Sequence, residues 1–281
     1  MIFVLITGVL LGFNPPAQDT VVNLSTGDRL ILEGLSGTVS VEAWDRDNLE
    51  LRSRSREDLR FGVRRSGSRL EVVPLDRRGG HEEVELRLRV PPWISLEVSG
   101  RDLDVDVRGL TGEVSLRNLD GEMSLTDLSG RVEAVSVQGS IEAQEIHGTV
   151  RFRTGDDDVE VDGASGDLRI ETISGDLELR NMDPIRLEIG TTSGDVEFQG
   201  TLSPAGDYLL RSHDGDLTLT LMEPPDLAVS VLVYDGEFRS DFPVRTRGFR
   251  SGQDFSFALG DGGGQLRLET FDGDIRLLRG G

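Results

Sequence analysis

The chain has 281 residues, with 36% apolar and 5% aromatic side chains, 35 glycines and a formal charge of −21. This composition suits many short strands and tight turns better than a helical bundle. Cysteine is absent, which excludes disulfides, thiolate catalysis, iron–sulfur clusters and cysteine-ligated zinc, and the acid excess argues against non-specific binding of the whole molecule to nucleic acid or anionic lipid.

The first element is an apolar run from Ile2 to Phe13, closed by Asn14-Pro15-Pro16. It is too short to span a bilayer as a helix. Its length suits the core of a secretory signal peptide cut after Ala17, so residues 1–18 are expected to be an export signal. The expected location is then the periplasm, the cell surface or the medium. No later segment is long and apolar enough for a transmembrane span, and without cysteine a lipidated N-terminus is ruled out.

Residues 19–100 hold alternating runs, among them "GTVSVEAW" at 37–44, "NLELRSRS" at 48–55, "SRLEVVPL" at 68–75 and "EEVELRLRV" at 82–90. Alternation predicts strands. Pro91-Pro92 ends the last, because proline cannot donate to a ladder. These are expected to be irregular β coils that cap the C-terminal two thirds of the chain, or a small β-sandwich. Residues 52–78 carry nine arginines against four acids. Arg52, Arg54 and Arg56 share one strand face, and Arg64-Arg65 and Arg77-Arg78 sit near turns. The plain reading is a solvated basic face; the alternative is a site for a polyanion such as an acidic glycan.

From residue 112 the chain becomes periodic. Glycine stands at 112, 121, 130, 139, 148, 166 and 175, nine apart, with Asp157 in the skipped place. Two and four residues after each of these eight starts the residue is apolar without exception. Each unit therefore reads as a short strand and a turn, with glycine at the corner for positive φ and close approach, and Asp, Ser or Thr beside it to bond turn amides. The residue seven after the start, apolar in seven of eight units, is expected to tuck under the corner. Such a unit buries its apolar face only by stacking on its neighbours, which predicts an all-β solenoid over residues 101–281 with cap strands at its C-terminus. Beyond 182 the glycine spacing lengthens and extra strands intervene, so two strands per coil of about 18–20 residues are expected, a flattened two-sheet β-helix. A three-sided coil of about 27 residues is the alternative.

If coils hold 18 residues, outward residues 18 apart stack at about 4.8 Å. One sheet then carries seven acids and one arginine in its outward columns over residues 122–180, including Glu142/Glu160/Glu178 and, beside the corner, Asp158 and Asp176. The other carries four acids and five arginines. Stacked like charges need solvent, salt or a cation. A solvated acidic face that resists aggregation is the favoured reading, with no cofactor. Ca²⁺ on Glu142, Glu160, Glu178, Asp158 and Asp176 is the alternative, although the double glycine of calcium-binding β-rolls is missing.

Catalysis finds little support. His81, His147 and His213 are far apart, no G-x-S-x-G occurs, and two Trp and two Tyr are few for the aromatic cleft of a β-helix lyase or hydrolase. The phrases "GTVSVEAW", "VELRLRVPPWISLEVSGRDLDVDVRGLTGEVSL", "GDLRIETISGDLELRN", "TTSGDVEF" and "LRLETFDGDIRLLR" resemble a bacterial family of β-strand-repeat proteins of unknown function labelled as adhesins. The likeness covers roughly residues 20–279; Phe271-Asp272 departs from it, standing where the family often has a small residue and Ser. The resemblance implies a β-solenoid, export in many members and no established catalytic residues. A non-enzymatic adhesin or envelope scaffold is therefore expected, with a surface protein, a glycan or a second copy as partner. A carbohydrate-active enzyme is the alternative and a calcium-binding β-roll the third reading.

Overall fold

A computed structural model of the protein describes residues 18–55, 60–75, 83–223, 225–244 and 254–280. The expected export signal lies outside the described residues apart from Gln18, as do Arg56, Arg77 and Arg78. Every regular element among the described residues is a strand. Hydrogen bonds join all twenty into one continuous sheet that folds around a shared core as a solenoid with two faces.

The middle of the chain sets the geometry. On its N-terminal side lie β1 (Gln18–Asn23), β2 (Arg29–Ala43), β3 (Asn48–Ser55), β4 (Phe61–Ser66), β5 (Arg69–Pro74) and β6 (Val84–Val90). The regular coils are β7 (Ser95–Arg108), β8 (Val114–Asp120), β9 (Met123–Gln138), β10 (Ile141–Arg153), β11 (Val159–Glu171) and β12 (Leu177–Ser193). Strands β9 to β12 each run along one face, bend and continue along the other. Their partners are parallel and 18 residues apart, as in Met123↔Ile141↔Val159↔Leu177 and Val132↔Val150↔Leu168. This is the two-sheet coil, and the 27-residue alternative is excluded by the register.

The bend has its own signature. Gly109, Asp127, Glu145, Gly163 and Asn181, each 18 from the next, all have positive φ between 53° and 79°. At the opposite corner the glycines stack. A Cβ on Gly139 would lie 2.2 Å from the Gly121 carbonyl oxygen, and one on Gly194 2.2 Å from that of Gly175. Glycine lets coils close up at these positions, and Asp157 takes the corner in the one coil that lacks it. From the fourth regular coil onward an Asp at this corner bonds to the next coil. Asp158 accepts from the Asp176 amide, Asp176 from Asp195, Asp195 from Asp216 and Asp216 from Asp274, each at 2.8 Å.

The two ends depart from chain order. At the N-terminal end β2 lies inside: on one face it pairs with β6 and β7, on the other with β5 and β7. Antiparallel pairs β3–β6, β1–β3 and β4–β5 lie outside it. The C-terminal strands are β13 (Val196–Gly200), β14 (Asp207–Asp214), β15 (Leu217–Leu221), β16 (Leu227–Asp235), β17 (Phe238–Ser240), β18 (Phe255–Leu259), β19 (Gly264–Asp272) and β20 (Ile275–Arg279). Here β19 and β20 insert between the coil of β14–β15 and that of β16–β17, and β18 closes the stack antiparallel to β16. Reversing the strand direction at an end blunts the edge for further parallel stacking.

Candidate binding groove

The predicted acidic column exists. Glu142, Glu160 and Glu178 are successive register partners, and Glu197 extends the column by one coil. Glu197 was hidden from the 18-residue count because Ile185 is an inserted residue that lengthens its coil. The column is a charged strip rather than a ligand cage. Glu178 pairs with Arg180, and Asp158 and Asp176 spend an oxygen each on the corner ladder. Among the described residues no three His, Asp or Glu side chains converge as a metal ion requires.

The arginines do not form one patch. Arg52 and Arg54 lie on β3, at the end of one face, opposite Arg87 and Glu85 of β6. Arg64 and Arg65 lie on the β4–β5 hairpin, which belongs to the other face. Arg52 pairs with Glu50 at 2.6 Å and Arg64 with Glu71 at 3.6 Å. Arg65 donates to buried Asp28 at 2.8 Å and to the Asn23 carbonyl at 2.7 Å, which fastens the hairpin to the preceding turn.

The residues seven after each unit start divide into two sets, which corrects the expectation that all tuck inward. Leu128, Ile146, Ala164 and Met182, at the bend, are buried. Leu119, Val137 and Ile173, at the glycine corner, are 41%, 50% and 59% exposed. The cause is the residue just before each. Asn118, Ser136, Thr154 and Thr172 turn inward and are buried, and Thr154 and Thr172 direct their hydroxyls at the carbonyls of Gly139 and Gly155. Corner carbonyls need donors; the Thr154 and Thr172 hydroxyls and the Asn118 amide supply them, while the Ser136 hydroxyl is buried without a partner among the described residues, and in each case the apolar side chain faces out.

The outward column continues down the solenoid through Gly155, Ile173, Thr192, His213, Phe271 and Tyr234, each two residues before the corner position of its coil. The last three rings stack: His213 on Phe271 at 4.9 Å between centroids and Tyr234 on Phe271 at 4.7 Å. Two residues back along each strand runs a second column, Val135, Arg153, Glu171, Gly190, Arg211 and Glu269, ending at Leu232. Between the two columns lies a groove of about 830 Å³. Two side chains are missing along it: at Gly155 in one column and, in the other, at Gly190, whose absent Cβ would meet nothing within 4 Å.

The charged wall is a network. Arg153 donates to Glu171 at 2.6 Å, Arg169 to Glu171 at 2.6 Å and to Glu188 at 2.8 Å, and Arg211 to Glu188 at 3.4 Å. Partial burial works against ionisation of Glu171, but the hydrogen-bonded guanidiniums of Arg169 and Arg153 outweigh it and hold the carboxyl below its ordinary range. A carboxylate kept ionised in this way is a poor proton donor at neutral pH. The groove thus offers an apolar side and a charged side on which Arg153 and Arg211 stand among Glu171, Glu188 and Glu269.

The aromatic end escapes a reading in chain order. "SHDGD", "VYDGE" and "TFDGD" each place a ring two before a corner glycine, a signal legible in the sequence. What the phrases do not reveal is that Phe271 inserts between His213 and Tyr234. The departure of Phe271-Asp272 from the family pattern is the middle of the stack.

The chain is similar to a "putative cell adhesion protein" of Clostridium sporogenes at 10% identity and a TM-score of 0.27, covering 94% of this chain and all of that one. It is also similar to a "putative adhesin" and a "putative lipid binding protein" of Parabacteroides distasonis. These have 10% and 11% identity and TM-scores of 0.38 and 0.36, each over 94% of this chain and 98% of the other. No curated protein matches it. The model of one family, described as Toastrack DUF4097, matches residues 22–278, and the chain belongs to that family.

Proposed function

We propose that the protein is a non-catalytic, adhesin-like binding module of the cell envelope or surface that captures its partner along the glycine-corner groove. One observation carries this reading. Of the ten large apolar side chains exposed among the described residues, Leu119, Val137, Ile173, Tyr234 and Phe271 fall in one column, and Leu232 stands beside it. Scattered exposed apolar residues are ordinary, but five in one column, with only Gly155, Thr192 and His213 between them, mark an interaction site. The wall favours binding over glycoside hydrolysis. Glu171, Glu188 and Glu269 each have an arginine partner, whereas hydrolysis needs one carboxyl held protonated. The apolar N-terminal run supports export, and no helix among the described residues is long and apolar enough to cross a membrane.

The test is co-sedimentation of the purified protein with envelope fractions of the producing bacterium. The wild type is expected to sediment, and Ile173→Ser/Tyr234→Ser to stay in solution with an unchanged melting temperature. Equal sedimentation of the two, or none of the wild type, defeats the proposal.

A further inference from the structure

We infer that the groove is the face on which two copies of this chain pair antiparallel, about a two-fold axis lying along β12 at Gly190. This rests on the groove reading above and names its partner, the protein itself. The order of charges selects this occupant. In spatial order from β9 to β16 the charged column reads Val135, Arg153, Glu171, Gly190, Arg211, Glu269 and Leu232. Reversed, the column is its own complement. Arg153 meets Glu269 of the second copy, Glu171 meets Arg211, Gly190 meets Gly190 and Val135 meets Leu232. A two-fold axis in the plane of contact sets one patch against itself in this way. A shift of one coil in either direction opposes Arg153 to Arg211 or Glu171 to Glu269, so like charges fix the register.

The outer column agrees. The same axis sets Phe271 against the gap at Gly155, Val137 against Tyr234 and Ile173 against His213, with Thr192 on the axis. A ring thus faces a missing side chain, and the open space over Gly190 lets the copies approach at the centre. An axis along the solenoid would instead set the charged column against the apolar one and desolvate its charges without partners. Arg153 and Arg211 are about half exposed and have N–H groups to spare beyond their bonds to Glu171 and Glu188. The next column toward the middle of the face lacks the symmetry: Glu188 would face its own copy and Arg151 would face Arg267. The contact is therefore confined to two columns crossing seven strands, about 29 Å long. That is less than a standard interface, and the expected dimer is weak, with a Kd of about 10–100 μM. Each chain carries −21, but the facing strip is neutral, and at about 0.15 M salt charges more than about 8 Å apart are largely screened.

The test is analytical ultracentrifugation of the purified protein over about 5–500 μM in about 0.15 M NaCl. Wild type is expected to dimerise reversibly. Arg153→Glu and Glu269→Arg, each alone, set like charges against each other twice per dimer and are expected to weaken it by about tenfold or more. Mixed in equal amounts, the two variants again oppose every carboxylate to a guanidinium, and the mixture is expected to dimerise within about threefold of wild type. Rescue requires both variants to be folded. Gly190→Arg, built into open space within the chain, brings two guanidiniums together on the axis and is expected to weaken the dimer by about tenfold with an unchanged melting temperature. A monomeric wild type at the highest concentration overturns the inference, as do single variants that dimerise like wild type or a mixture no better than its components. A monomer that still sediments with envelope fractions leaves the adhesive reading standing and removes this one; a dimer that does not sediment does the reverse.

Discussion

At the scale of single residues, the repeat constrains each position separately. The bend position is held at φ near +53° to +79° in five successive coils by Gly109, Asp127, Glu145, Gly163 and Asn181. Glycine, Asn and Asp enter this region readily; a longer side chain does so at a cost of about 1–2 kcal/mol. Glu145, at φ 54°, is therefore the strained member. Glu145→Asn should stabilise the protein by about 0.5–1 kcal/mol and raise the melting temperature by a few degrees. Glu145 also stands next to Asp127 in the column, so removing its charge alone would help. Glu145→Gln removes the charge and keeps the longer side chain, so it separates the two causes. An equal gain from Gln and Asn would show that charge and not backbone was at stake.

At the scale of the strand, stacking turns a sequence choice into an electrostatic one. Glu160 sits in register between Glu142 and Glu178, and among the described residues Glu178 alone of the three has an arginine partner. Like charges directly opposite cost roughly 0.2–1 kcal/mol. Glu160→Gln should raise stability by that amount at low salt in denaturant titrations, and the gain should shrink in about 1 M NaCl, where the screening length falls to about 3 Å. A gain indifferent to salt would refute the repulsion. This column was legible in the sequence because the 18-residue spacing is regular over β9 to β12. The outward turn of Val137 and Ile173 was not. An apolar residue seven after a glycine looks alike at both corners, and the small polar residue buried just before it, Ser136 or Thr172, marks the corner where it faces out.

At the scale of the molecule, local phrases specify coils and not the order in which they stack. Gly215, Gly236 and Gly273 open near-identical phrases, yet the register places the Gly273 coil between the other two. The choice comes from the ends. A strand pair left outermost would present a long parallel edge, whereas the observed order puts the three-residue β17 and the antiparallel β18 there. The last strands in the chain are thus interior to the solenoid. Chain termini ordinarily fray and exchange their amide hydrogens first. Here β19 is flanked on both sides by parallel partners, β14 and β16, and its core residues Leu266 and Leu268 are buried. Its amides are expected to exchange as slowly as those of β11 in the centre, and those of β1 and β18 at the caps to exchange much faster, in native-state hydrogen exchange followed by mass spectrometry. Deleting residues 264–281 should then expose the facing edges of β14 and β16 together and yield aggregated chain rather than a solenoid one coil shorter. A soluble truncated protein with protected β14 amides would mean that β19 joins late to a solenoid already complete without it, and the interior placement would then carry no part of the stability.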